Sequence, residues 1–343
     1  MSKVRIDNAD HMYRAIGDSL DSLGAFEYLG AGRHVFLKPN LTYPTHRPGI
    51  TTSPRLLRAV LSNLADSGCH VSVGESDGGY GAWSADEAFA GHGLRDLCGA
   101  FGATLVNLSQ APSRQVELET LGKTYRLGLP VILLDETDTF ITLPVPKIHA
   151  MVTYSGAVKN QWGCIPDPMR LKLHPNFEKL IWAVNQRLAP RLAIGDGEYM
   201  LDRNGPMSGE PVYMNRIIVA DDVLSFDVAV LERIMQLDPA RVSYLALGRQ
   251  LGFQWSADTV ENRATGLAHQ FELRRTLRNR LVAAAFPRQW AVNLIWDSLP
   301  GRLAHRVLYT MTGNPVERER ERVLAMTEVA ASERVLPEVS EKA

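Results

Sequence analysis

The sequence predicts an α/β protein with a mixed, mostly parallel sheet flanked by helices and followed by a helical C-terminal extension. Three observations favour this class. Short apolar runs of strand length alternate with segments of helical periodicity. A helix start at Ser53 and Pro54 lies between two such runs, as in a βαβ unit. Near the C-terminus, leucines recur every four residues among arginines, which is typical of an amphipathic helix.

The elements follow in order. Residues 10–29 are predicted to form a helix and 33–38 a buried strand. Ser53 as N-cap and Pro54 at the first helical position begin the next helix, which ends at Gly68. The further predicted elements are a strand at 70–74, a helix at 84–101, the strand ATLVNL, a strand or hairpin at 115–128, a strand ending before Pro144, a helix at 176–188, the strands RLAIGD and RIIVA, and a helix at 222–236.

Length and composition predict the domain organisation. A chain of 343 residues exceeds the usual size of a single core. We expect an α/β domain over residues 1–253, an Arg-rich helical extension over 254–322 and a flexible tail over 323–343. The stretch 268–322 holds ten Arg and no Lys against five acidic residues. We expect this extension to cover the sheet or a second copy of the chain, outside the functional site. Contact with a membrane surface or an acidic partner stays open, as does a homo-oligomer.

Charge and cysteine content exclude several classes. A formal net charge of −1 gives no overall attraction for nucleic acid. Cys69, Cys98 and Cys164 share no C-x-x-C spacing, so neither a disulfide framework nor an iron-sulfur or zinc motif is present. The N-terminus has no apolar core of a signal peptide, and no apolar run is long enough for a transmembrane helix. We therefore expect a cytoplasmic protein.

Polar clusters follow four of the predicted strands at the points where they end. Because the carboxyl ends of parallel strands share one edge of a sheet, these clusters predict a single site there. The clusters are KPN with Lys38 and Asn40, GES with Glu75 and Ser76, PKIH with Lys147 and His149, and GDG with Asp196. The segment SGAVKNQWG adds Lys159 and Asn160 between glycines that let a backbone approach a ligand.

The residue types predict an anion site with acid/base groups. Lys38, Lys147 and Lys159 are expected to bind a carboxylate or phosphate and to stabilise developing negative charge. Glu75, His149 and Lys147 are the predicted catalytic residues, with Glu75 and His149 exchanging protons. The predicted substrate-binding residues are Lys38, Asn40, Ser76, Lys159, Asn160, Asp196 and Asp227.

Structural alternatives stand beside these roles. Asn40 could bond its own loop, and His149 could be a satisfied structural imidazole. Asp221 or Asp222 follows a strand directly and is the expected N-cap of the next helix. Asp227 lies off the apolar stripe of that helix, so it must meet a cation or backbone donors, and its ion-pair and catalytic interpretations are equally supported.

Taken together, the motifs make the sequence similar to the domain-of-unknown-function 362 family, from about residue 33 to 252. They are KPN, TTSP, GES, PKIH, SGAVKN, the DG after the strand LAIG, NGPMSGEP and the ADD segment. The resemblance implies no assigned reaction, because the family is named for the lack of one. Some members carry a cysteine-rich ferredoxin-like segment. This chain has no such segment, so an iron-sulfur cofactor is not expected. By this resemblance, the following residues lie at motif positions of the family: Lys38, Asn40, Glu75, Lys147, His149, Lys159, Asn160, Asp196 and Asp227.

Three functions remain open. The first is an enzyme that acts on a small carboxylate- or phosphate-bearing substrate by proton transfer. The second is a cofactor-binding protein or accessory protein of a redox enzyme. The third is a divalent-metal enzyme, in which magnesium would suit oxygen ligands from Glu75, Asp196, Asp222 and Asp227, although these form no compact ligand motif. A Rossmann dehydrogenase is disfavoured, because no G-x-G-x-x-G opens the first βα turn.

Overall fold

The computed structural model describes residues 2–253, 258–285, 287–296 and 298. The chain divides into two compact units, Met1–Val292 and Asn293–Ala343. The tail predicted over 323–343 lies outside the described residues. The boundary predicted near residue 253 stays a prediction.

Within the described residues, strands alternate with helices up to residue 107, and the strands between residues 104 and 155 then follow one another before the next α-helix begins at Ala157. The strands are β1 (Lys3–Asn8), β2 (His34–Pro39), β3 (His70–Glu75), β4 (Thr104–Asn107), β5 (Ser113–Thr120), β6 (Lys123–Pro130), β7 (Thr139–Leu143), β8 (Lys147–His149), β9 (Thr153–Ser155), β10 (Leu192–Gly205), β11 (Glu210–Ala220) and β12 (Thr259–Asn262). The α-helices are α1 (Met12–Ser22), α2 (Pro54–Ala65), α3 (Ala85–Gly91), α4 (Leu94–Ala100), α5 (Ala157–Asn160), α6 (Phe177–Leu188), α7 (Val223–Val230), α8 (Ser243–Gln250), α9 (Leu277–Ala285) and α10 (Gln289–Trp296).

The main sheet has the order β12-β1-β11-β10-β7-β2-β3-β4. Neighbours are parallel except at β1–β11 and β10–β11, so the prediction of a mixed, mostly parallel sheet is confirmed. From β2 the chain builds outward to β3 and β4, and it then returns to place β7 on the other side of β2. The carboxyl ends of β2 and β7 therefore flank a point where the strand order reverses, which is where open α/β sheets bind ligands.

Apolar side chains of successive residues face opposite sides of the sheet. Val35 and Leu37 of β2 belong to the core packed against α1 to α4, whereas Phe36 between them belongs to the core that contains α5 to α8. Burial on both faces explains why the central strands read as continuous apolar runs. An antiparallel hairpin of β5 and β6 packs beside α6.

Three predicted helices differ from their observed bounds. The helix predicted at 10–29 is α1 with short 3-10 turns before and after it, and α1 ends early because Gly24 adopts a left-handed conformation. The segment predicted as one helix at 84–101 is divided into α3 and α4, because Gly93 adopts a left-handed conformation with φ 66°. The helix predicted at 222–236 is α7 followed by a π-helical turn at Leu231–Met235. The helix start at Ser53 is confirmed, since its Oγ accepts a hydrogen bond from the Leu56 amide at 3.1 Å.

The long strand β10 positions a small sheet extension beyond the carboxyl end of β7. Its first residues pair with β7, and farther along Leu201 pairs with Lys147 of β8. β9 completes the extension by pairing antiparallel with β8. The residues of β8 therefore lie next to the ends of the central strands, where the polar clusters were predicted to meet.

Candidate functional site

A buried ion pair lies at the adjacent ends of β2 and β3. Lys38 is 1% exposed, and its Nζ lies 2.6 Å from Glu75 Oε2. The same oxygen accepts a hydrogen bond from the Leu41 amide at 3.1 Å, while Oε1 accepts one from the Ser76 amide at 3.0 Å. Both carboxylate oxygens are thus engaged by donors of the chain, which holds Glu75 in one orientation.

Gly163 covers this ion pair closely. A Cβ at this position would lie 2.6 Å from Glu75 Oε1 and 2.9 Å from Lys38 Nζ, so only glycine fits without displacing the pair. The Gly163 carbonyl accepts a hydrogen bond from Ser76 Oγ at 2.7 Å. The predicted binding residue Ser76 therefore joins the end of β3 to the loop after α5.

Asn160 spans the two strands at the point where the strand order reverses. Its Nδ2 donates to the Lys38 carbonyl at 3.1 Å and to Thr142 Oγ1 of β7 at 2.8 Å. Lys38 and Thr142 are opposite each other in the β2–β7 register. These bonds fix α5 over the sheet edge, and they leave the next residue toward the N-terminus, Lys159, beside β8. Asn40 bonds within its own loop, with Oδ1 accepting from the Thr42 amide at 3.3 Å.

Lys147 and His149 lie on the same face of β8, because alternate residues of a strand share a face. Lys147 is fully buried, and its Nζ donates to the Ile50 carbonyl. Burial, and then the neighbouring charge of Lys159, hold the pKa of Lys147 well below its usual range, although Asp196 acts in the opposite direction. A lysine in this environment favours the neutral amine.

His149 is held in one neutral tautomer. The Met151 amide donates to its Nδ1 at 3.1 Å, so the ring proton of neutral His149 lies on Nε2. Burial lowers the pKa of His149 well below its usual range, and the charges of Lys159 and Lys147 lower it further. His149 therefore offers an Nε2–H donor at neutral pH.

Lys159 is the cation that the surrounding residues leave without a partner. Within the described part of the chain, its Nζ forms no hydrogen bond or ion pair. Burial, followed by the charge of Arg170, lowers the pKa of Lys159 to about 8. Lys159 is half-buried and its ammonium has no carboxylate beside it, so a bound anion would offset the cost of its partial desolvation.

Two further basic residues of this cluster, Arg170 and His174, were not predicted from the sequence. Arg170 donates from Nη2 to the Asp77 carbonyl at 2.8 Å, and burial lowers its pKa. His174 lies with Arg170 in a 3-10 helix, Arg170–Asn176, and burial, followed by the charge of Lys159, lowers the pKa of His174 to about 4. The charge of Arg170 acts on Lys159 and is itself affected by Glu75, so Arg170 connects the two groups of predicted residues. The segment has neither strand nor helix periodicity that could have predicted this.

Two predicted carboxylates bind backbone groups instead of lysines. Asp196 Oδ2 accepts from the Ser53 amide at 2.7 Å, and burial raises its pKa. Asp227 accepts from the amides of Ala157 and Val158 at 2.6 and 3.0 Å and from Tyr154 Oη at 3.0 Å. Asp227 therefore holds the N-terminus of α5, which carries Lys159 and Asn160.

The oxygen ligands considered for a divalent metal have separate partners. Asp222 is the N-cap of α7, with Oδ1 accepting from the Ser225 amide at 2.6 Å. Among the described residues, no three His, Cys, Asp or Glu side chains form a group that could hold a metal ion.

Comparison with known proteins shows what this chain is similar to. The family described as "Domain of unknown function (DUF362)" matches residues 35–232. A thylakoid-associated protein of Synechocystis sp. is 30% identical over 254 residues, which are 71% of this chain and 75% of that protein. A crystal structure of a Thermotoga maritima protein aligns with a TM-score of 0.40 and 12% identity, over 69% of this chain and 59% of that one. In this chain, no helix of the described residues is long and apolar enough to span a bilayer.

Proposed function

The chain belongs to the domain of unknown function 362 family, which has no assigned activity, and we propose that it is an enzyme that binds a small carboxylate- or phosphate-bearing substrate between β8 and α5 and transfers a proton. The observation that carries this proposal is the unpartnered ammonium of Lys159 beside Lys147 and His149. A carboxylate or phosphate there would supply the missing negative charge.

The balance of charge around Lys159 supports an anionic ligand. The charges that act on Lys159 and on His149 are all cationic. The charge of Arg170 acts on Lys159. For His149, the charges with the largest effect are those of Lys159 and Lys147. The carboxylates at the same sheet edge are engaged elsewhere, Glu75 by Lys38 and Asp196 by the Ser53 amide. A lysine ammonium that has no carboxylate and lies among basic groups is suited to bind an anion or to stabilise one that forms during a reaction.

The proposed proton acceptor is Lys147. Its lowered pKa favours a neutral amine, which keeps a lone pair while one N–H donates to the Ile50 carbonyl. His149 acts as the hydrogen-bond donor, because its neutral tautomer presents Nε2–H to a substrate oxygen on which charge develops. Glu75, which the sequence predicts as the base, is better suited to holding Lys38, since both of its oxygens accept hydrogen bonds.

A second candidate is an accessory protein that acts at a membrane surface. The similar Synechocystis protein is described as thylakoid-associated, and α9 carries exposed leucines on one face. Leu277 and Leu281 are 75% and 65% exposed and lie four residues apart, with Arg280 exposed beside them. Exposed leucines next to arginines suit the interface of an anionic bilayer. This would place the protein at a membrane rather than free in the cytoplasm.

Isothermal titration with inorganic phosphate and with acetate tests the proposed anion site. The wild-type chain is expected to bind at least one of them, and Lys159→Met is expected to weaken binding by the roughly 1.5–3 kcal/mol typical of a hydrogen bond to a charged group. Lys123→Met is the matched control, because Lys123 is exposed at the tip of the β5–β6 hairpin. Equal affinities of the wild type and the Lys159 variant would exclude Lys159 from the site.

A further inference from the structure

The segment that follows β12 is fastened to the β10–β11 hairpin through a buried carboxylate. Asp202 of β10 is fully buried. Its Oδ1 accepts from the Glu272 amide at 2.8 Å, and its Oδ2 lies 2.8 Å from His269 Nε2. Phe271, between these two residues, is 2% exposed in the main core. Residues 269–272 therefore occupy one defined position on the domain.

The attachment continues toward α9. The carbonyl of Arg203 accepts a hydrogen bond from the Arg274 amide at 3.0 Å. The guanidinium Nη1 of Arg203 lies 2.8 Å from Glu272 Oε2. Farther along, Asn279 Nδ2 donates to Asn204 Oδ1 at 2.6 Å. Arg275 lies between these anchor points, so its backbone position is fixed from both sides.

Arg275 reaches β8 and is left without a carboxylate. Its Nε donates to the Ala150 carbonyl, directly after His149. Its neighbour Arg274 pairs with Glu272 at 2.9 Å. By contrast, the terminal guanidinium nitrogens of Arg275 have no partner in the part of the chain that the structure describes. The charge of Arg275 also contributes to lowering the pKa of His149.

The basic side chains of the site therefore lie in sequence along β8 and just beyond it. Lys147 and His149 are two residues apart in the strand, which corresponds to about 7 Å at roughly 3.3 Å per residue. Lys159 acts on both of them. Arg275 contacts the strand one residue beyond His149, so its guanidinium extends this series away from Lys147.

We propose that Arg275 binds a second acidic group of the substrate, and that the substrate is a small molecule with two separate acidic groups, such as a dicarboxylate or a phosphorylated carboxylic acid. This inference rests on the proposed anion site at Lys159. A guanidinium with two free nitrogens matches the two oxygens of a carboxylate or phosphate. The neutral Nε2–H of His149 would then donate a hydrogen bond to the ligand between its two acidic groups, while Lys147 remains the proposed proton acceptor.

Titration of butanoate and of the four-, five- and six-carbon dicarboxylates against the full chain tests the inference. The wild type is expected to bind one of the dicarboxylates more tightly than butanoate. Arg275→Gln should remove this preference with a loss of about tenfold or more, the scale of one bond to a charged group, and should leave butanoate binding unchanged. Arg275→Lys should keep part of the preference, because it retains the charge without the fork.

Arg274→Gln is the matched control, since Arg274 is adjacent but pairs with Glu272. It should preserve the preference for the dicarboxylate. If the wild type binds butanoate and dicarboxylates equally, or if Arg275→Gln weakens both to the same extent, the second acidic group is excluded while the anion site stands. If the wild type binds none of these probes and neither phosphate nor acetate, the proposed function itself fails.

Discussion

Lys38 Nζ and Glu75 Oε2, 2.6 Å apart and both buried, join the ends of two adjacent parallel strands of the central sheet. Around them the chain supplies two backbone donors to the carboxylate and a glycine that leaves room for the pair. The cations of the proposed site lie beyond this pair and have no such compensation. Glu75 therefore compensates the charge of Lys38, whereas the charge of Lys159 at the same edge has no carboxylate of the protein beside it and is available to a ligand.

Removal of one member of the Lys38–Glu75 pair should destabilise the protein. Lys38→Met leaves the Glu75 charge buried, and the expected loss in free energy of unfolding is about 3–5 kcal/mol, measured by urea denaturation. Lys38→Met combined with Glu75→Gln should recover part of that loss, because no unpaired charge remains. A Lys38→Met protein as stable as the wild type would show that the pair contributes nothing to stability.

Anion affinity should decrease as the pH rises through about 8. The pKa of Lys159 is lowered to about 8, so its ammonium is charged below that pH and lost above it. A bound anion stabilises the ammonium, so Lys159 keeps its charge to a higher pH in the complex. The decrease in affinity should therefore begin at about pH 8 or slightly above it. Titration of a dicarboxylate, whose charge is constant from pH 7 upward, measures the effect. Lys159→Met should bind weakly and show no such step, and a step of equal size in this variant would assign the titration to another group.

Gly163→Ala should disturb the site without changing any charged residue. The new methyl group would lie 2.6 Å from Glu75 Oε1, so either the loop or the ion pair must move. We expect a loss of about 1–3 kcal/mol in stability, as for other overpacked interiors, together with weaker anion binding. Gly99→Ala is the control, because Gly99 lies in α4 with open space around its Cβ position, and there alanine should stabilise the helix by about 0.5–1 kcal/mol. Similar behaviour of the two variants would contradict the close approach.

Asp227 should make stability depend on pH. Burial raises the pKa of Asp227 to about 7, although three donors act against this shift. Between about pH 4 and 7 the folded state then holds a proton that the unfolded state has released, so the stability contributed by Asp227 falls as the pH rises. Measured against Asp227→Asn, wild-type stability should decline over this window.

The Asp222→Asn variant provides the comparison for that experiment. It keeps a good N-cap on α7 and should retain most of the wild-type dependence on pH, because the charge of Asp222 contributes less than burial to raising the pKa of Asp227. A constant difference in stability between the wild type and Asp227→Asn from pH 4 to 7 would mean that Asp227 stays ionised throughout, with its three donors outweighing burial.

The parts of the fold that sequence predicts best are those determined by neighbouring residues. The Ser53 N-cap, Pro54 and the apolar strands on either side give the βαβ unit, because each signal acts within a few residues. The break between α3 and α4 was missed, since a glycine within an apolar periodic segment does not reveal a positive φ. The full length of β10 was missed as well. Its second half pairs with β8 and β11, and these contacts are not local in sequence.

In the candidate site too, residues marked by local sequence signals could be predicted, and residues brought in by distant contacts could not. Lys38 and Glu75 could be predicted because they lie at the ends of the parallel strands β2 and β3, which share one edge of the sheet. Lys147 and His149 were placed near them because they follow the strand that ends before Pro144, although they form the separate strand β8. Arg170, His174 and Arg275 could not be predicted, because they reach the cluster from a 3-10 segment and from the C-terminal segment. The partners of Asp227 are amides of α5, seventy positions away for Ala157, and no periodicity in its own helix points to them.

The position of β1 has a consequence for synthesis on the ribosome. Val4 lies between Ala220 of β11 and Val260 of β12, so the strand made first pairs with strands made late. A nascent chain cannot place β1 until β11 has emerged, and β1 remains a bare sheet edge until β12 follows. The closing of such distant segments is slow, and an uncovered edge can pair with other chains. Folding of this domain therefore finishes where translation of its sequence began.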